Sequence, residues 1–163
     1  MEVVREVVER AVGSPLADDA FGALFARAYA QMVRVAYGIV ADRAVAEDVV
    51  QDAFAGVYRR FGRLERPEAY LRRSVVNGCL KSLRHRRRTV VGPVPDTAVV
   101  GAVGRDLLDA VARLSPRRRA VVVLRYHADW SEAEIAAALG VRPGTVKSTL
   151  HHALADLREV VER

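Results

Sequence analysis

The chain has 163 residues, enough for one medium domain or two small ones, and its 51% hydrophobic and 28% charged content is that of a folded chain rather than a disordered tail. One cysteine, Cys79, excludes an internal disulfide framework and a multi-cysteine zinc site. No stretch approaches the roughly 20 apolar residues needed to span a bilayer, and charges break up the opening MEVVREVVER. The expectation is a cytoplasmic protein with no signal peptide and no membrane insertion.

The net charge is +6, and the excess is concentrated. Between Arg59 and Arg88 eleven basic residues face two acidic ones, so this segment outweighs the rest of the chain, which is slightly acidic. A polyanion is the natural partner, nucleic acid being the commonest. A solvated arginine-rich face is the other reading of the same residues.

Residues 1–17 read as an N-terminal extension, frayed or partner-docking. Over 20–40, Phe21, Leu24, Phe25, Ala28, Met32, Val35, Ala36 and Ile39 recur at helical spacing, with Asp18 and Asp19 as candidate caps. A second helix is expected from Ala44 to Phe61, with Val45, Val49, Ala53, Phe54, Val57 and Phe61 inward. Its outer face starts acidic and ends basic, which suits the helix dipole. Pro67 opens a third helix that turns Tyr70, Leu71, Val75, Cys79 and Leu83 inward and Arg72, Arg73, Asn77, Lys81 and Arg84 outward. Gly78 and Cys79 are small and suggest a loosened stretch in it. Periodicity then stops, and TVVGPVPDTAVVGAVG over 89–104 reads as a flexible linker.

The second half is helical again. Leu107, Leu108, Val111 and Leu114 form a short stripe, and Ser115-Pro116 restarts the chain into RRRAVVVLRYHA. Ser131 followed by Glu134 is a capping box. The helix it opens ends at Gly140, and Pro143 starts another with Val146, Leu150, Ala153, Leu154 and Leu157 inward. Short helix, glycine turn and amphipathic helix make a helix-turn-helix, with Ala136 and Ala137 small enough for a close crossing. In DNA-binding examples the second helix lies in the major groove. Here it would project Thr145, Lys147, Ser148, His151 and His152.

At this point the chain resembles a known family, the extracytoplasmic-function (ECF) sigma factors of bacterial RNA polymerase, within the sigma-70 family. AEDVVQDAFAGVYRRF (46–61) resembles the region 2.2 helix that docks on the polymerase clamp. YLRRSVVNGCLKSLRHRRR (70–88) resembles regions 2.3 and 2.4, which open and read the −10 element. LLDAVARLSPRRRAVVVLRYHADWSEAEIA resembles the start of region 4, and GVRPGTVKSTLHHALADLR its recognition helix. The resemblance implies an all-α fold of two small helical domains joined by a flexible linker. These are a region 2-like domain over 18–88 and a region 4-like helix-turn-helix domain over 105–163.

It further implies a sigma factor that binds core RNA polymerase and directs promoter-specific initiation. Asp48, Gln51 and Asp52 would face the polymerase. Tyr70, Arg72, Arg73, Asn77, Lys81 and Arg84 would meet the −10 element, with Asn77 toward an extruded base and the arginines on phosphates. Arg142, Thr145, Lys147, Ser148, His151 and His152 would lie along the −35 major groove, and Arg117, Arg118 and Arg119 near the flanking backbone. An anti-sigma factor is an implied partner. Thr149 and His152 stand where the family commonly has arginine, and Tyr58 where tryptophan is frequent.

The four histidines are scattered, and no phosphate loop, nucleophile elbow or spaced carboxylate pair is present. No catalytic residue, metal site or cofactor is therefore expected. The alternative function is a stand-alone helix-turn-helix regulator whose first half is a sensor or dimerisation domain. Such a domain needs neither the basic face of 59–88 nor the acidic patch before it.

Overall fold

The computed structural model describes residues 15–89 and 102–161. Residues 1–14 of the expected extension and 90–101 of the expected linker lie outside the described residues. Among the described residues every regular element is helical.

The first helix, α1 (Pro15–Val40), begins before the clean periodicity. Asp18 therefore sits in its first turn rather than capping it, and accepts a hydrogen bond from the Tyr58 hydroxyl at 3.2 Å. The expected stripe is buried from Phe21 to Ile39, with Phe25 half-buried. Ala41 takes a left-handed turn (φ 53°) and Asp42 caps α2 (Arg43–Arg60), its carboxylate accepting from the Val45 N–H at 3.0 Å. That bond and the adjacent Arg86 guanidinium hold the Asp42 carboxyl below its ordinary value. A 3-10 turn (Phe61–Arg63) leads to α3 (Pro67–Thr89). Phe21, Phe25, Tyr29, Phe54, Tyr58 and Phe61 form one aromatic knot between α1 and α2.

The small residues of α3 mark a tight crossing, not a loosened helix. A Cβ on Gly78 would stand 2.7 Å from Val49 Cγ1, so α2 and α3 touch there because residue 78 has no side chain. Val49 is β-branched on a helix and has one comfortable rotamer, so it yields poorly. Gly78→Ala is expected to lower stability by about 1–2 kcal/mol, because overpacking outweighs the roughly 1 kcal/mol gained in helix propensity. Adding Val49→Ala should restore most of the loss, as urea denaturation would report; additive losses would place the strain elsewhere.

Cys79 is fully buried beside that crossing. Burial pushes its thiol up to about 12 from an ordinary 9.0. The native chain is expected to resist a thiol reagent at pH 8 and to react fully in denaturant. Because the folded value is the higher one, stability should fall as pH rises above about 9, where the unfolded thiol ionises first. Rapid native-state labelling would contradict this burial.

In the second half, α4 (Ala102–Arg113) precedes α5 (Pro116–Val122), a π-helical turn (Val123–His127), α6 (Glu132–Leu139) and α7 (Pro143–Val161). The stripe expected from Leu107 is shifted: Ala110 and Leu114 are buried against Ala153 and Leu157, while Leu107 and Leu108 are exposed. The two halves are not separate bodies. Buried residues of α1, α2 and α3 form one continuous core with Ala120, Val121, Val123, Leu124, Trp130 and Ile135 of the second half. Gly38 makes this contact possible, since a Cβ there would lie 2.8 Å from Val123 Cγ1.

Candidate nucleic-acid interface

Two polar faces emerge from these elements. The first is a groove of about 750 Å³ between α2 and α3. Its floor is kept low by Gly56 and Gly78, and its walls carry Arg59, Arg60, Lys81, Arg84 and His85. The Arg60 guanidinium stands 5.8 Å from the centre of the half-buried Tyr70 ring. Of the expected −10 residues, the groove brings together Tyr70, Lys81 and Arg84 on its α3 wall, with Asp52 of the acidic patch on the facing α2 wall. Asp48 is exposed and Gln51 half-buried.

Arg72, Arg73 and Asn77 do not line this groove. Asn77 is exposed. Arg72 reaches the second half, where its Nη1 meets Glu134 Oε1 at 2.7 Å and its guanidinium lies 4.9 Å from the Trp130 ring centre. Glu68 of its own helix approaches Nη2 at 3.4 Å. Arg73 is exposed, beside the helix-turn-helix corner: a Cβ on Gly140 would stand 3.7 Å from its Nη2. Arg86 of the basic run is engaged by Asp42.

The second face is the α6–α7 pair. The capping box is complete: Ser131 Oγ accepts from the Glu134 N–H at 3.2 Å, and Glu134 Oε2 accepts from the Ser131 N–H at 2.8 Å. That backbone bond, followed by Arg72, holds the Glu134 carboxyl below its ordinary value. Gly140 turns left-handed (φ 66°, ψ 38°) and closes the corner by donating to the Ala136 carbonyl. Glycine adopts that geometry at the least cost, having no Cβ. The crossing uses Ala136 and Ala138, while Ala137 is exposed, because Ala138 is the position that turns into the core.

Val146, Ala153 and Leu157 anchor α7. Arg142, Thr145, Lys147, Ser148, His151 and His152 are all exposed. Ser148 Oγ donates to the Thr145 carbonyl at 3.1 Å. Of the three arginines at 117–119, Arg117 is exposed, Arg118 pairs with Asp156 at 2.5 Å, and Arg119 donates to the Ala112 and Ile39 carbonyls. Arg119 is thus a structural clamp across the halves.

The family model described as Sigma-70 region 2 matches residues 24–89, and that described as Sigma-70, region 4 matches residues 104–157. Over 141 residues the chain is 40% identical to the RNA polymerase sigma-E factor of Streptomyces antibioticus, covering 80% of this chain and 78% of that one. It is also 36% identical over 151 residues to the ECF RNA polymerase sigma factor SigL of Mycobacterium tuberculosis, covering 83% and 85% of the two chains. The chain belongs to the ECF sigma factors.

Two solved structures share the fold. One is the sigma factor RpoE in complex with the anti-sigma factor NepR from Bartonella quintana (TM-score 0.68, 21% identity, 88% of this chain and 97% of that one). The other is CnrH in complex with the cytosolic domain of CnrY (TM-score 0.67, 23% identity, 98% and 94%). The helical architecture of this sigma factor is therefore that of its family.

Sequence reasoning missed Trp130 and the second role of Glu134. Both belong to contacts between residues about 60 positions apart. A lone tryptophan next to a capping box was the only local hint.

Proposed function

We propose that this ECF sigma factor binds core RNA polymerase through the acidic patch of α2 and selects promoters with two readers. The α2–α3 surface takes the −10 element and α7 takes the −35 major groove. The observation that carries this reading is the pairing, in one chain and in order, of a region 2 match bearing the basic groove and a region 4 match bearing the helix-turn-helix. A stand-alone regulator has no use for the first.

Each reader alone offers few base contacts, so neither binds DNA tightly. Docking on polymerase would fix their spacing and raise the effective concentration of the second once the first is engaged. An anti-sigma factor is a partner by the same reading, supported by the two fold relatives, both solved in such complexes or with a partner's cytosolic domain. The test is transcription by purified core polymerase on a pooled promoter library, with and without the chain. Initiation that depends on the chain and shares two sequence elements is expected. No initiation, with duplex DNA retained by the chain alone, would replace this function with that of a separate regulator.

A further inference from the structure

His151 and His152 stand side by side on the exposed face of α7. Their rings are 5.9 Å apart, centre to centre, at an interplanar angle of 65°. Ser148 precedes them by one turn and Thr145 precedes Ser148 by another, so the pair continues a single exposed strip. Adjacent helical positions diverge by about 100°, so the two imidazoles address different sides of a groove that α7 enters. Between Thr145 and His152 the only permanent charge is that of Lys147.

We infer that His151 and His152 make the grip of α7 on DNA conditional on protons: charged, they hold phosphates, and neutral, they release them. The inference rests on the proposed function in taking the −35 element as the DNA that α7 meets.

Imidazole is the side chain whose charge changes between about pH 5 and pH 8, where lysine and arginine stay charged throughout. Among the described residues neither ring has an ion-pair partner. On α7 itself the carboxylate one turn beyond His152, Asp156, is paired with Arg118 of α5, and Arg158 and Glu159 lie two turns on. The elements packed against α7 are α4, α5 and α6. Of their other charged groups, Arg119 is bonded to backbone carbonyls and Glu134 to Arg72. Asp109, Arg113, Arg117 and Glu132 form no ion pair with either imidazole.

Two imidazolium rings this close repel each other, and a phosphate beside each relieves the repulsion. DNA binding therefore draws protons onto the pair, and by reciprocity protons strengthen DNA binding. Affinity rises as pH falls through the imidazole range and is lost as pH rises through it. Phosphate contacts position without specifying sequence, so acid raises affinity across promoters and admits weaker −35 elements.

The test uses the full-length chain as wild type, as the pair His151→Gln with His152→Gln, and as the pair His151→Lys with His152→Lys. Both replacements suit an exposed helix, and circular dichroism checks the fold. Binding to a duplex carrying a pH-insensitive dye is followed by anisotropy over a salt series at about pH 6 and about pH 8, the two sides of imidazole titration. The same series is run with core polymerase on promoter DNA.

The wild type should bind severalfold more tightly at the lower pH, with the slope of log affinity against log salt steeper by about one to two units. The glutamine pair should lose this response, and the lysine pair should bind at the higher pH as the wild type does at the lower. His85 on the α2–α3 groove and His127 on the π-helical turn remain in every variant. An equal pH response in the wild type and the glutamine pair would overturn the inference and move the response to other groups. If the histidine-dependent response appears on duplex DNA but no chain initiates transcription, the proposed function fails and the conditional grip stands. Absence of DNA binding at both pH values, with and without polymerase, would remove both.

Discussion

Phe54→Ala is expected to destabilise the chain by about 3–5 kcal/mol, the range for emptying an aromatic site in a close-packed core. Phe54 is only 2% exposed and is the α2 ring of the aromatic knot that meets three rings of α1. Its ring meets Phe25 at 4.9 Å and 60°, Phe21 at 6.2 Å and 84°, and Tyr29 at 6.0 Å. The two edge-on contacts, with Phe21 and Phe25, add to area burial, and none of the neighbouring rings can move into the gap without leaving another partner. The helices on both sides are held by the Asp42 cap and the Gly78 crossing, so the site collapses poorly. Thermal and urea denaturation would measure the loss. Phe25→Ala is the control: this ring is half-buried and should cost clearly less. Equal losses would mean that the knot has no single keystone.

Lys147→Ala is expected to weaken promoter binding of the assembled polymerase about tenfold, evenly across −35 sequences. Lys147 is exposed near the start of α7, one turn after the Pro143 entry, where the chain emerges from the Gly140 corner. An ammonium is a compact point charge that suits a phosphate better than a base edge. Losing one phosphate contact should also reduce the slope of log affinity against log salt by roughly one unit. Thr145→Val gives the contrasting pattern. It should leave the salt slope unchanged and alter preference at one −35 position, because a hydroxyl and methyl address a base edge. A Lys147→Ala effect confined to one base position, with the slope intact, would move this lysine from phosphate holding to base reading.

The helix-turn-helix was legible because its signals are local. Ser131 and Glu134 find each other within one turn, Gly140 favours a left-handed corner, and apolar spacing fixes which side of α7 is buried. The exposed set from Arg142 to His152 follows from the same periodicity. The first-half stripes were legible for that reason too. What misled were features whose meaning depends on a neighbour far away in sequence. Gly78 looked permissive until Val49 was placed against it. Leu107 and Leu108 looked buried until α4 was seen to pack through Ala110 and Leu114. Arg118 and Arg119 looked available until Asp156 and the Ala112 and Ile39 carbonyls were placed beside them.

From residue order and periodicity alone follow the all-helical class, the two halves, the capped corner between α6 and α7, and the basic outer face of α3. Each is set by interactions within a few residues, where spacing is geometry. Tertiary structure alone decided that the halves share one core, that Arg119 clamps rather than reaches outward, and that Arg72 turns from the promoter-facing set to Glu134 and Trp130. An exposed arginine and an engaged one have the same neighbours in sequence. Only the packing of α3 against α6 brings the carboxylate and the indole within its reach.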